Sequence, residues 1–130
     1  MRKQYHSRIV GPDTLIWDVH ELIRATKGLD TFRVPPDEIA EVDENWWYQD
    51  PGAQPTPRSL VHHMKLVQKT SLDHPIIFCA EGRLMDGMHR IVKAIMEHRL
   101  TIDAVRFATT PSPHFKNVSL DDLPYYDEEV

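Results

Sequence analysis

The sequence predicts a small α/β domain of the α+β type, with about three main helices and a mixed sheet in one unit spanning residues 1–130. Its 130 residues are enough for one domain that buries a core without disulfides. Apolar residues recur at helical spacing in three segments. Short β-branched runs bounded by proline or glycine separate these segments, so the predicted order is helix, strand, helix, hairpin, helix, strand.

Residues 1–30 are predicted to form an N-terminal helical extension. Within DTLIWDVHELIRATKG, one helical face is apolar, at Leu15, Ile16, Val19, Leu22 and Ile23. Asp13 or Thr14 could cap this helix, and Gly28 could end it. The following segment TFRVPPDEI predicts a short strand closed by two prolines.

The middle of the chain predicts a loop followed by a second helix. ENWWYQDPGAQPTP has no hydrophobic period and four proline or glycine residues, so its aromatic trio would anchor a loop to the body. Thr56 followed by Pro57 is a good N-cap and first-turn pair. The helix that follows would face inward with Leu60, Met64 and Val67.

The last third of the chain is predicted to form a hairpin, a helix and a strand. HPIIFCAEGRLMDG indicates a buried strand over 76–80, a turn at Glu81 and Gly82, and a return strand over 83–85. A third helix would run from about Gly87 to His98, facing inward with Ile91, Val92, Ile95 and Met96. IDAVRF predicts a final strand. After Pro111 the pattern fades, and residues 111–130 are expected to be a flexible acidic tail.

Composition sets expectations about setting and partners. No apolar run is long enough for a signal peptide or a membrane span, so no membrane partner is expected. The single cysteine, Cys79, allows no intramolecular disulfide, and we expect a cytoplasmic location. The net charge of -5 argues against nucleic acid as a partner of this chain.

The charges are unevenly distributed along the chain. Residues 37–50 hold six acids and no base, and the last ten residues hold five acids. Residues 73–107 hold five acids and five bases, at Arg83, Arg90, Lys93, Arg99 and Arg106. A local anion site in an acidic protein favours a small phosphorylated ligand over a polymer. A mixed, solvated surface would give the same distribution.

RLMDGMHRIVKAI places an Asp-Gly turn between a predicted strand and a predicted helix. Backbone N–H groups in the first turn of a helix have no partner within the helix and attract anions. Gly87 would let a ligand approach the backbone, beside Met88. His89 and Arg90 would add side-chain donors, and Lys93 lies one turn further on the same face. We therefore predict a phosphate site at Gly87, Met88, His89, Arg90 and Lys93.

Each of these residues also has a structural explanation. Asp86 could accept a proton, hold a magnesium ion or cap the helix. His89 could be a buried structural histidine, and Arg90 could pair with the acidic 37–50 block. A zinc site is not expected, because no His/Cys spacing matches one, and no haem is expected either. A P-loop is excluded, because Met88 and His89 stand where Lys and Ser or Thr would be.

GRLMDGMHRIVKAI resembles the strand–DGxHR–helix signature of the ParB/sulfiredoxin-like superfamily, which includes the N-terminal domain of ParB partition proteins, sulfiredoxin and free serine kinases. The resemblance extends from FRVPPDEI through PRSLVHHMKLVQKT to IDAVRF, about half of the chain. It implies that nucleotide phosphates, of ATP or CTP with Mg²⁺, bind at Gly87, Met88, His89 and Arg90.

The chain departs from each named relative. Sulfiredoxin has its nucleophilic cysteine where Met88 stands, so sulfinic-acid reductase activity is not expected. Partition ParB continues into DNA-binding and dimerisation regions that the acidic end of this sequence does not match. The serine kinases use the Asp and the first-turn His in catalysis, which by resemblance would be Asp86 and His89. Their catalytic base is a glutamate after the first strand, for which the candidates are Glu38, Glu41 and Glu44.

Two function classes stay open at this point. The chain could be a nucleotide-dependent phosphotransferase or hydrolase acting on a small hydroxylated molecule, with Asp86 holding Mg²⁺ through the nucleotide. It could instead be a non-catalytic module that binds a nucleotide or a protein. An acid within reach of the phosphate site would favour the enzyme. Oligomerisation is left open.

Overall fold

The computed structural model describes residues 1–129, and over that range it contains seven strands and three α-helices. In chain order they are β1 (Tyr5–Val10), β2 (Asp13–Asp18), α1 (Val19–Ala25), β3 (Phe32–Val34), α2 (Pro57–Lys69), β4 (Ile76–Phe78), β5 (Leu84–Asp86), α3 (Met88–Met96), β6 (Ile102–Arg106) and β7 (Phe115–Lys116). Short 3₁₀ turns lie at Pro36–Glu38, Ala40–Asp43 and Leu120–Asp122. The predicted α+β class with about three helices is confirmed.

The strands form two sheets. The first is antiparallel with order β1-β2-β7, and the second has order β3-β6-β4-β5. In the second sheet only β4 and β6 are parallel. The β4–β5 hairpin, the start of α3 and β6 lie where the sequence predicts them, although β6, predicted as the last strand, is followed by β7. This sheet places the Asp-Gly turn at the end of its edge strand β5.

The N-terminal region differs from the predicted helical extension. Residues 13–18 form a strand that pairs with β1, with Arg8 opposite Leu15, and the hairpin turns at Gly11, whose φ is +61°. Helix α1 is confined to seven residues and begins at Val19, directly after its N-cap Asp18, whose carboxylate accepts from the backbone N–H of His20 at 2.9 Å. The helical prediction for 13–18 is wrong because pairing with β1 overrides the local hydrophobic period.

The core lies on both faces of the second sheet. Side chains of β4 alternate between the two faces, so Ile76 and Phe78 pack toward α3 while Ile77 packs toward Trp17 and Leu22. Burying an aliphatic side chain of this size stabilises a fold by about 1.5–3 kcal/mol. Helix α3 therefore packs against the sheet through this apolar cluster.

Two apolar residues predicted to face inward are exposed. Leu60 in the first turns of α2 is 44% exposed, and Met96, the last residue of α3, is 58% exposed. Val67 and Ile91 are buried as predicted. The two exceptions lie toward the ends of their helices, where the apolar face extends past the neighbouring elements.

The acidic segment after Pro111 contacts the first sheet instead of extending as the predicted flexible tail. Strand β7 pairs with β2, and the Glu128 carboxylate lies 2.9 Å from Nζ of Lys3 and 2.8 Å from Nδ1 of His20. The partners of this segment are at the opposite end of the sequence, so local composition could not reveal them. Among residues 1–129, no helix is long and apolar enough to cross a bilayer.

Candidate functional site

A cavity of about 380 Å³ lies at the N-terminus of α3. All five residues of the predicted turn line it: Asp86, Gly87, Met88, His89 and Arg90. Its other walls come from β1, from α2 and from the loop that carries Trp46, Trp47 and Tyr48, which we call the aromatic loop. The lining residues of these walls include Tyr5, His6, Trp46, Trp47 and Lys69. The structure therefore brings the predicted motif together with an aromatic wall and a cation that were not included in the sequence-based site.

The turn into α3 depends on Gly87. Its φ is +118°, and a Cβ atom there would lie 2.5 Å from Cγ2 of Ile76, so only glycine fits. Gly87 is also the N-cap, without a side-chain cap, and the first helical bond runs from Ile91 N–H to its carbonyl at 3.0 Å. Within residues 1–129, the backbone N–H groups of Met88, His89 and Arg90 have no protein acceptor.

Asp86 and Arg90 form an ion pair one helical turn apart, with Nη2 of Arg90 2.9 Å from Oδ2 of Asp86. Arg90 also donates from Nη1 to the carbonyls of Pro75 at 2.6 Å and His74 at 3.3 Å. Burial raises the pKa of Asp86, and the charge of Arg90 opposes this rise. Arg90 therefore pairs with Asp86 and not with the 37–50 block, and its donors hold the turn in place.

Lys93 does not line the cavity. Its ammonium donates to the carbonyls of Thr70 at 2.6 Å and Gln68 at 3.2 Å, at the C-terminal end of α2. Carbonyl groups at the end of a helix have no intrahelical partner, and a cation stabilises them. In this arrangement Lys93 joins α3 to α2, and the lysine that lines the cavity is Lys69.

A pair of histidines links α2 to α3. Nδ1 of His63 lies 2.9 Å from Nε2 of His89, and the Trp47 indole stacks on both rings, with centroids 4.2 Å and 5.1 Å away. Burial lowers the pKa of His89 to about 4, with a further contribution from the nearby histidines and Arg90. Burial and the neighbouring His62 also lower the pKa of His63. The sequence analysis missed His63, because no local pattern relates it to a residue 26 positions away on another helix.

The acidic residues considered as a catalytic base do not line the cavity. Glu41 is 2% exposed, and its carboxylate accepts from the backbone N–H of Leu84 at 2.7 Å. Glu44 pairs with Arg83 at 2.6 Å, and Arg83 also lies 3.5 Å from Glu41. Glu38 is exposed on its 3₁₀ turn. Glu41 and Glu44 instead bind residues at the start of β5 and in the turn before it, and Asp86 is the carboxylate that lines the cavity.

The residues at the turn do not form a magnesium site of their own. Among residues 1–129, no group of three His, Cys, Asp or Glu side chains could hold a metal ion. Asp86 is the carboxylate that the prediction assigned to Mg²⁺, and its Oδ2 is bound to Arg90. A protein-held magnesium ion would need more oxygen ligands than this turn supplies.

Comparisons with known proteins do not assign this chain to a family. No protein-family model, no curated protein and no solved structure matches it. The resemblance to the ParB/sulfiredoxin-like superfamily therefore stays a prediction. It depends on the DGMHR motif and on its position between a strand and a helix.

Proposed function

We propose that the protein binds a nucleotide in the cavity at the N-terminus of α3. One observation supports this most: the three residues with unpartnered backbone N–H groups all line that cavity. Such groups, together with the positive end of the helix dipole, form an anion site suited to phosphate. The volume of about 380 Å³ lies in the range of small-ligand pockets.

The walls of the cavity suggest how a nucleotide would lie. Phosphates would accept from the backbone of Met88, His89 and Arg90 and pair with the exposed ammonium of Lys69. The nucleobase would lie against Trp46 or Trp47, because aromatic faces stack on bases. In this proposal Arg90 is a positioning residue, since its guanidinium is already bound to Asp86 and to two carbonyls.

A second candidate function is phosphoryl transfer from the nucleotide to a small hydroxylated substrate. One observation favours it: Asp86 lines the cavity, and burial raises its pKa toward the range that a general base needs. Asp86 would accept the proton of the attacking hydroxyl as the γ-phosphoryl group leaves ADP. Mg²⁺ would enter with the nucleotide, bound mainly by its phosphates.

Thermal unfolding with ATP, ADP, CTP and GTP, each with and without Mg²⁺, tests the binding. A nucleotide present at 100 times its Kd should stabilise the fold by about 2.7 kcal/mol. Lys69→Ala should weaken binding, whereas Lys27→Ala, which removes an exposed cation outside the cavity, should not. The absence of a shift with every nucleotide would contradict the proposal.

Turnover separates the two candidates. For an enzyme, Asp86→Asn should retain nucleotide binding and abolish transfer or hydrolysis, measured as ADP or CDP release. For a binding module, wild-type protein should release no product above the rate of the buffer.

We place the protein in the cytoplasm. Its single cysteine, Cys79, is fully buried beside the β4–β5 turn and cannot form an intramolecular disulfide. The fold therefore has no requirement for an oxidising compartment. Detection of the tagged protein in a fractionated cell tests this assignment.

A further inference from the structure

Most of the lysine and arginine side chains have a partner within the protein. Of its fifteen Lys and Arg residues, ten donate to a carboxylate, a carbonyl or a side chain, and Arg2 lies over the Tyr125 ring. Within residues 1–129, four have no such partner. One is Lys27, and the other three lie on α2, at Arg58, Lys65 and Lys69.

The unpartnered cations of α2 form one line along the helix. Arg58, His62, Lys65 and Lys69 follow each other at intervals of four, three and four residues, and all four are exposed. Residues at these intervals lie on one helical face. The line extends about 16 Å along the helix axis, since each residue advances about 1.5 Å. It ends at Lys69, which lines the cavity.

No acidic residue near these cations in the sequence neutralises their charge. Residues 51–72 contain neither Asp nor Glu, although the chain as a whole has a net charge of -5. Lys65 and Lys69 are four residues apart, and like charges at that interval destabilise a helix. The pattern is typical of a surface that a polyanion neutralises.

Aromatic side chains lie directly beside this helix. The Tyr48 hydroxyl is 3.1 Å from Oγ of Ser59, and Trp47 stacks on His63, so the aromatic loop is fixed against α2. Trp46 and Trp47 are half-buried and line two adjacent cavities, of about 380 Å³ and 460 Å³. Both indoles therefore line a cavity that α2 also lines through Lys69.

We propose that the α2 surface, formed by Arg58, His62, Lys65 and Lys69, binds single-stranded nucleic acid. Proteins that bind single strands combine a positive track for phosphates with aromatic rings on which bases stack. The aromatic loop and its two cavities favour a single strand over an acidic peptide, which has no bases to stack. They also favour it over a duplex, whose bases are already stacked on each other.

This site goes beyond the nucleotide cavity and does not depend on it. Arg58 and Lys65 do not line the cavity, so their removal tests the α2 surface alone. More than half of the acidic residues lie in the 37–50 block, which carries the aromatic loop, and in the C-terminal segment, whereas residues 51–72 contain none. Local charge, and not the total, decides binding within a Debye length of about 8 Å at physiological salt.

Fluorescence anisotropy with a labelled twelve-nucleotide dT strand, at 50–300 mM NaCl, tests the proposal. Neutralising three phosphates releases counterions, so the slope of log K against log salt should be about -2. Arg58→Ala/Lys65→Ala leaves one of the three cations and should reduce that slope to about -0.7. The matched control Lys27→Ala, which removes the remaining unpartnered cation, should behave like wild type.

Three further outcomes bear on the proposal. An abasic strand of equal length should bind about fivefold more weakly or worse, since stacking contributes about 1 kcal/mol or more per base. Equal affinity for the abasic strand, for the matching duplex or for a twelve-residue glutamate peptide would overturn the single-strand assignment. Binding of the dT strand that the double variant leaves unchanged would overturn the role of α2.

The same double variant keeps this test separate from the nucleotide proposal. Its thermal stabilisation by ATP should equal that of wild type, because the cavity is intact. If ATP does not stabilise the wild-type protein but the dT strand binds to it, that result would contradict the nucleotide proposal and support the α2 surface.

Discussion

The imidazole of His63 is bound to that of His89, with 2.9 Å between Nδ1 of the first and Nε2 of the second. Such a bond needs one protonated and one bare nitrogen, so the two rings cannot both be charged while it exists. The bond links the helix of the cationic surface to the helix of the proposed phosphate site. The protonation state of this pair therefore affects how α2 packs on α3.

Acid should destabilise the protein through this pair. His89 has an ordinary pKa of 6.5 that burial lowers to about 4, so the unfolded chain takes up a proton that the folded chain refuses. The free energy of unfolding should therefore fall as the pH drops from 6.5 to 4. Each unit of pKa difference corresponds to about 1.4 kcal/mol. Urea unfolding across this range measures the effect.

The variant His89→Gln isolates this contribution. It should reduce the pH dependence of the free energy of unfolding between pH 6.5 and 4. Burial also lowers the pKa of His6, to about 3, and that residue contributes equally in both proteins. An unchanged profile in His89→Gln would show that His89 is not the buried, neutral ring described above.

Replacing Gly87 by alanine should destabilise the fold strongly. The backbone strain at φ +118° and the 2.5 Å approach to Ile76 act together, for about 2–5 kcal/mol in total. Gly11→Ala has a positive φ of +61° but no atom within 4 Å, so it should show the strain alone. Equal costs for the two variants in urea unfolding would mean that Ile76 does not occupy the space beside Gly87.

Asp86 and Arg90 should be coupled in stability. Removing either charge, with Asp86→Asn or Arg90→Gln, leaves the other poorly compensated and should cost about 1.5–3 kcal/mol. The double variant should cost less than the sum of the two, with a coupling energy of about 1 kcal/mol or more. Strict additivity in a double-mutant cycle would contradict the pair. The variant Arg90→Lys gives a second test of the pair. If it kept wild-type stability and lost nucleotide affinity, Arg90 would bind the ligand and not Asp86.

Replacing Glu41 and replacing Glu38 should change the free energy of unfolding by very different amounts, although the two residues are only three positions apart. Glu41→Ala leaves the buried N–H of Leu84 without its acceptor and opens a cavity, for about 2–4 kcal/mol. Glu38→Ala changes an exposed side chain and should stay within about 0.5 kcal/mol of wild type. Neither variant should alter nucleotide affinity at a temperature where it is folded. A large loss of affinity in either would restore it as a site residue.

The predictions from sequence succeeded where local signals and the fold agree. In the region of β4, β5 and α3, a buried apolar run, an Asp-Gly turn and an apolar helix period follow each other directly. Each of these local patterns is therefore enough to predict the element in which it lies. Gly87 fixed the start of α3 because only glycine adopts its φ of +118°. The residues of the turn were thus correctly expected to lie together.

The predictions failed where distant segments decide. Leu15 and Ile16 fit a helix period as well as a strand, and the choice depends on β1 and β7, which pair with them. Lys93 and Arg90, which are predicted to bind phosphate, donate to carbonyls of residues 68–75 that the sequence alone could not place beside them. His63 could not be found, because its relation to His89 exists only once α2 packs on α3.

The pairing of β3 with β6 across about 70 residues has a consequence for the order of folding. Contacts between near neighbours in sequence form quickly, whereas long loops close slowly. The β4–β5 hairpin, α3 and β6 span only residues 76–106 and can assemble first. The wall contributed by Tyr5 and His6 should arrive late, with the pairing of β2 and β7. We therefore expect hydrogen exchange during refolding to protect the amides of α3 well before those of β7, so that the turn at Gly87 exists before the cavity around it is closed.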